Sequence, residues 1–390
     1  MSDMDYNQRR VRLTLPNSSV IASVMLIALS PLELLVSAEQ YLYIICIIPL
    51  LIGVVHYGCK LRSGRGMLIL LFMVYMMITC IWTPAAGIPR KTLVQLVTLL
   101  FLFLQLQFSY TKEEIIFIKR SLYFQFFLLV IIIFLYGQTA WDGRLWIIFG
   151  GSKTDSNSIC TWIIPVFCLS ISDLFDKKQR KKYIYIIAIF FSVYVFLWAG
   201  SRSGILVMAL CAGLSILHSA REIMKQYPTR SFIILIFGII AFVFVYRLLP
   251  DSIISRFEYS NTSSLGGRSN IWTNMLHMLI NSPLNLLFGF GENATITLTG
   301  VAAHNMYIEI LFNNGLFGLS IILSYIISAV KQSWKEDKTV AIIMIGIAVM
   351  SATLSEFSSR PVMISLFLSG MTRVCIVYRE EDGEYKIEEM

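Results

Sequence analysis

Long apolar runs divided by short polar clusters dominate the chain. A helix needs about 20 apolar residues to cross the hydrocarbon of a bilayer. Twelve runs approach that length: 18–37, 41–57, 67–83, 92–109, 121–137, 158–173, 183–199, 204–218, 231–248, 303–328, 339–357 and 361–378. The pairs 183–218 and 339–378 are joined by very short turns, which predicts two helical hairpins. One connection is long. Residues 249–302 hold an amphipathic stretch (Ile271, Trp272, Met275, Leu276, Leu279) that is expected to lie on a membrane surface. Gly289 and Gly291 in FGFGEN predict a tight turn. No strand precedes them, so they are not a nucleotide fingerprint.

Composition agrees with the runs. The 390 residues are 56% hydrophobic and 14% charged, with a mean hydropathy of +0.71. Soluble domains carry about 25% charged residues, so this chain could not cover a water-facing surface. The same figures exclude disorder. The pI of about 9.1 does not indicate a nucleic-acid binder, because the cations sit in short clusters between apolar runs. The seven cysteines, at 46, 59, 80, 160, 168, 211 and 375, lie mostly inside apolar runs and read as small buried hydrophobes. No metal-ligand cluster, Walker A motif or internal repeat is present.

The basic residues give an orientation. Alternate loops hold 23 and 9 of the 32 Lys and Arg, and the richer set is assigned to the cytoplasm. Twelve spans then leave both termini inside, with Arg9, Arg10 and Arg12 before an uncleaved first span. The expected architecture is an all-α integral membrane protein. Spans one to nine occupy 1–248, an outer loop 249–302, and the last three spans with a cytoplasmic tail 303–390.

Seven of the nine outer cations are Arg. Arg suits planar, bidentate binding of carboxylate or phosphate; snorkelling to lipid headgroups would account for any one of them equally, but less well for the whole set. Arg202, in AGSRSGILV, stands at the outer end of one span and the start of the next, with Ser201 and Ser203 beside it and Gly200 and Gly204 allowing close approach. Arg268, in GGRSNIW, opens the amphipathic helix, whose N-terminus adds its own donors for an anion. His304, in VAAHNMYIEIL, is placed at an outer span mouth with Asn305 after it. A near-neutral pKa suits a histidine to general-base work. Glu309 comes five residues later, off the same helical face. Arg256, Arg247 and Arg360 are further outer arginines, and Glu33 is an acid near the outer end of the first span.

The wording AGSRSGILVMAL, then GGRSNIW with SPLNLLFGFGEN, then AHNMYIEILFNNGLFG resembles the O-antigen ligase and Wzy-type O-antigen polymerase superfamily over about 183–328. The resemblance implies a GT-C-type membrane glycosyltransferase of the bacterial inner membrane, with no cofactor, metal or nucleotide sugar. Its donor is a glycan on undecaprenyl diphosphate, presented at the periplasmic face. The family's arginines correspond to Arg202 and Arg268, and its histidine to His304. Arg256 joins the diphosphate-binding candidates, with Arg247, Arg360, Ser201, Ser203, Asn305 and Glu309 as additional ones. One histidine supplies a base, and no carboxylate nucleophile is evident, so single displacement with inversion is expected. The expected activity is that of a polymerase acting on a lipid-linked repeat unit. The alternative is a ligase acting on lipid A–core, and a lipid-linked oligosaccharide flippase is a remote third. Membrane lipids and a chain-length regulator are the expected further partners.

Overall fold

The computed structural model describes residues 18–35, 39–57, 64–87, 90–140, 143–150, 152–176, 179, 181–224, 268–354, 359–373, 379–381 and 384–386. Eight helices fill the first part: α1 (Ser18–Leu29), α2 (Glu39–Tyr57), α3 (Gly64–Thr79), α4 (Arg90–Leu106), α5 (Lys112–Tyr136), α6 (Ser156–Phe175), α7 (Lys182–Ala199) and α8 (Arg202–Met224). Three short helices follow, α9 (Arg268–Ile280), α10 (Pro283–Phe288) and α11 (Ala294–Thr299). The chain then forms α12 (Met306–Glu336), α13 (Lys338–Met350) and α14 (Arg360–Gly370). Among the described residues, α5, α6, α7 and α12 are long and apolar enough to cross a membrane, and five shorter apolar helices accompany them. The span expected over 231–248, Arg247, Arg256, the N-terminal arginines and the first part of the 249–302 loop lie outside the described residues.

α6 is the central post. It packs against α7, α8 and α13, and fifteen of its residues, from Ser156 to Ile171, are buried. By contrast α5 and α7 turn Phe124, Phe127, Phe134, Ile186 and Phe190 outward, which in a bilayer is the favourable side for them. The bundle is tied across its two ends. At one end Lys119 of α5 meets Asp337, the N-cap of α13, at 2.6 Å. At the other, Lys91 of α4 meets Glu309 of α12 at 2.9 Å.

Several expectations from the sequence need correction. The segment after the fifth span is a three-stranded antiparallel sheet, β1 (Gly137–Thr139), β2 (Leu145–Phe149) and β3 (Ser152–Thr154). It rests on the bundle through a Tyr136–Phe149 ring contact and the bond from Trp198 Nε1 to Thr139 Oγ1. These strands are too short to show a period of two. The last span, expected over 361–378, ends as a helix at Gly370, and Thr372–Arg373 pair instead with Ser109–Tyr110. The 339–378 pair is not a tight hairpin, since Ser351–Thr353 form a separate 3-10 turn between the helices. α7 and α8 do turn sharply at Gly200, yet α8 packs chiefly on α6 and α13.

The amphipathic helix also differs from expectation. α9 buries Met275 and Leu279 against Ala294, Ala303 and Phe312 of this same chain, forming a second small core. Only residues such as Leu276 and Ile280 keep an apolar face outward.

The long helix α12 is broken at Gly315, which takes φ 66°. The carbonyls of Phe312 and Asn313 therefore receive the backbone N–H groups of Phe290 and Gly291, each at 2.9 Å. Gly289 and Gly291 also have positive φ. A side chain on Gly289 would collide with the Asn313 backbone. Two irregular backbones thus satisfy each other, the condition under which such structure survives away from water.

Candidate functional site

The site begins at the α7–α8 corner. Gly200 caps α7 in the left-handed region at φ 57°, a conformation that glycine adopts without penalty. Ser201 then turns inward, 2% exposed. Its hydroxyl donates to Asn157 Oδ1 at 2.6 Å and accepts from Gly204 N–H at 3.0 Å. Ser203 Oγ lies 3.2 Å from it. Ser201 is thereby an N-terminal cap for α8, and it ties α8 to the start of α6. Gly204 permits the close approach, because a Cβ there would stand 2.6 Å from Cys160 Sγ. With Ser201 fixed, Arg202 is the first residue of α8 and its side chain is exposed.

Asp155 caps α6 by accepting from Asn157 N–H at 2.7 Å and Ser158 N–H at 2.9 Å. Arg268 opens α9, half-buried, with Nη1 3.5 Å from the Thr353 carbonyl. Four residues on, Trp272 Nε1 donates to the Ala303 carbonyl at 2.7 Å, which fixes α9 against the residue preceding His304. Asn305 caps α12, its Oδ1 accepting from Tyr307 N–H at 3.0 Å and Ile308 N–H at 3.2 Å. Between these two anchors His304 adopts φ 51°, sparsely populated for a residue other than glycine.

Electrostatics joins these pieces. Burial lowers the Arg268 pKa, and the nearby charges of Arg144 and Arg202 lower it further, against the carboxylate of Asp155. His304 is exposed as a residue, yet its ring is sufficiently enclosed that desolvation lowers its pKa from the ordinary 6.5, followed by the charge of Arg268; Asp155 and Glu309 act in the opposite sense. Arg202, Arg268, His304, Arg144 and Asp155 therefore share one neighbourhood. Its three guanidinium charges outnumber the single carboxylate of Asp155 by two. The starts of α6, α8, α9 and α12 converge there, and each helix N-terminus carries about half a positive charge. Such a place attracts a doubly charged anion and leaves a neutral imidazole able to accept a proton.

Other candidates are placed differently. Arg360 is 2% exposed and its Nε meets Glu33 Oε2 at 2.6 Å. It holds α14 to the 3-10 turn Ser30–Leu34 that follows α1. Glu309 is 6% exposed and paired with Lys91. Asn305 uses its side-chain oxygen as a helix cap. Among the described residues no group of three or more His, Cys, Asp or Glu is arranged to hold a metal.

The sequence reading did not single out Arg144, Asp155, Lys91, Trp272 or Glu292 for the site. Asp155 had a usable signal, since Asp-Ser-Asn-Ser before an apolar run is a helix-start pattern. Arg144 and Lys91 were visible only as two outer cations. Glu292, 3% exposed, was hidden in a polar segment that gave no hint of its burial.

Residues 187–323 match the family model described as O-antigen ligase. That segment holds α8 to α11, most of α7 and the first part of α12, with Arg202, Arg268 and His304 all inside it. No curated protein matches the chain. This apolar, multi-helix chain is a membrane protein whose 187–323 segment is similar to the O-antigen ligase family, consistent with the O-antigen ligase and polymerase superfamily.

Proposed function

We propose that the protein is a membrane glycosyltransferase that moves a glycan from undecaprenyl diphosphate onto the non-reducing end of a lipid-linked repeat unit. The observation that carries this reading is that Arg268, at the start of a helix, lies within electrostatic reach of both Arg202 and His304. The guanidinium groups hold the diphosphate and take up the negative charge that develops as the glycosidic bond breaks. Preorganised charge of this kind is commonly the largest catalytic contribution. His304, neutral at physiological pH, removes the proton from the acceptor hydroxyl. The hydroxyl oxygen bonds to the anomeric carbon while the bond to the diphosphate oxygen breaks, and undecaprenyl diphosphate leaves. A single displacement inverts the anomeric centre. No metal or cofactor enters this scheme, and the architecture is of the GT-C kind. The excess of cations on the opposite loops supports a site at the periplasmic face of the inner membrane, with both termini in the cytoplasm.

The description of the matching family favours a second reading, a ligase that uses the same donor but lipid A–core as acceptor. Purified protein supplied with lipid-linked repeat units, with and without lipid A–core, separates the two. A longer lipid-linked product identifies the polymerase, and glycosylated core the ligase. Turnover must be lost in His304→Ala while the melting temperature is kept. Retained turnover in that variant removes the assigned base. Absence of turnover with either acceptor removes the activity.

A further inference from the structure

One turn into α12 from His304, the chain buries a second charged group of residues that the transfer reaction does not use. Glu292 is 3% and Glu309 6% exposed. Glu309 Oε1 accepts from Lys91 Nζ at 2.9 Å. Its Oε2 is buried with no hydrogen-bond partner. Glu292 Oε1 accepts from Asn314 Nδ2 at 2.6 Å, and its backbone carbonyl accepts from the Thr83 hydroxyl. Phe72, Gln95, Glu292, Glu309, Asn313 and Asn314 line a cavity of about 20 Å³ between them, enough for one water-sized species.

The two asparagines beside it are already engaged. Asn313 Oδ1 accepts from Thr295 N–H and Oγ1, and Asn314 Nδ2 also reaches Thr79 Oγ1 at 3.4 Å. Two carboxylates facing one ammonium leave one negative charge in excess. An isolated buried charge is so costly that a group in this position takes up a proton instead.

We propose that Glu292 and Glu309 form a one-proton site in which the proton sits on Glu292 and Lys91 neutralises Glu309. The charged or titratable groups facing Glu292 are Lys91 of α4, Glu309 of α12 and Cys80 just beyond α3. Burial pushes the Glu292 carboxyl up to about 7; the charge of Glu309 adds to this, while Asn314, Lys91 and Thr92 oppose it. Glu292 closes the turn whose N–H groups of Phe290 and Gly291 hold the broken backbone of α12. Its proton therefore keeps that turn docked. Loss of the proton places a carboxylate charge against Glu309 and loosens the helix that begins just after His304. The site stands on the burial of the two carboxyls and not on the proposed transfer reaction.

The test is infrared spectroscopy of the purified protein in lipid vesicles, titrated from pH 5 to pH 9. A protonated carboxyl band is expected on the acid side of neutrality that disappears with a midpoint near 7 and is missing in Glu292→Gln. Should Glu292→Gln fail to fold, Glu309→Gln serves instead; removing the like charge moves the midpoint down by about one unit. A second arm measures the melting temperature against sodium concentration at fixed pH. Independence from sodium is expected. No such carboxyl band, a band unaltered in both variants, or a sodium-dependent melting temperature without the band each overturns the proposal. Protein that shows the band yet transfers no glycan retains this site and loses only the proposed function.

Discussion

Arg360→Met is the perturbation that best separates a structural arginine from a substrate-binding one. The Arg360 side chain is 2% and that of Glu33 18% exposed, with Nε and Oε2 2.6 Å apart. Removing the guanidinium takes this cation away from the Glu33 carboxylate in a poorly solvated place. Breaking such a buried pair costs about 3–5 kcal/mol. Glu33→Gln alone takes the charged partner at 2.6 Å away from the nearly inaccessible guanidinium and has a similar cost. The double variant Arg360→Met/Glu33→Gln removes both charges at once and is expected within about 2 kcal/mol of the parent, so the cycle yields a coupling of about 4 kcal/mol or more. At about 2 °C per kcal/mol for a large chain, each single variant should melt roughly 6–10 °C lower in lipid nanodiscs and the double only a few degrees lower. Transfer activity of the double should match the parent at a temperature where both are folded. Two results refute the reasoning. One is a single variant that melts with the parent; the other is a double variant that loses the sum of both. A stable double variant without activity would instead return Arg360 to the substrate site.

Three further substitutions probe the site. Arg268→Gln removes a cation that holds the His304 pKa down, so the acid limb of kcat/KM should move to higher pH; an unmoved limb rejects His304 as the group titrating there. Trp272→Phe deletes the 2.7 Å bond to the Ala303 carbonyl, at a cost of about 1–3 kcal/mol for the orphaned acceptor. Single-turnover rates should fall at least several-fold with little change in donor affinity. Gly289→Ala combines a positive φ with a collision against Asn313 and should destabilise by about 3 kcal/mol, measured as a loss of folded protein on mild heating. Thermal stability should also depend on pH through Glu292. Its folded pKa of about 7 stands above the ordinary 4.5, so the protonated form favours the folded state. This stabilisation is complete below pH 4.5 and fades as pH rises through 7; Glu292→Gln should flatten that slope.

The apolar runs made most of the helices legible, because length and hydrophobicity are written directly into consecutive residues. Helix ends were less so. The run 361–378 stays apolar past Gly370, and only the pairing of Thr372–Arg373 with Ser109–Tyr110 ends the helix there. The sheet over 137–154 was hidden because its strands are only three to five residues long, and it is held through Tyr136 and Trp198 on neighbouring helices. Within the site, Arg202 and Arg268 stood out as cations at helix starts. Arg144 did not, since its place depends on a turn in which Ala140 N–H donates to the Arg144 carbonyl at 2.8 Å. Buried acids such as Glu292 leave no mark in a hydropathy pattern, which records only average polarity.

The bond between Ser201 and Asn157 has a practical consequence for chimaeras. It crosses the border of the 187–323 domain, as do the contacts of Arg268 with Thr353 and of Glu309 with Lys91. Exchanging that segment between related chains would carry over both arginines and the histidine but strand them among foreign neighbours. A working graft would have to bring Asn157, Thr353 and Lys91 along, and a domain cut free at its borders would keep its reactive groups while losing the frame that aims them.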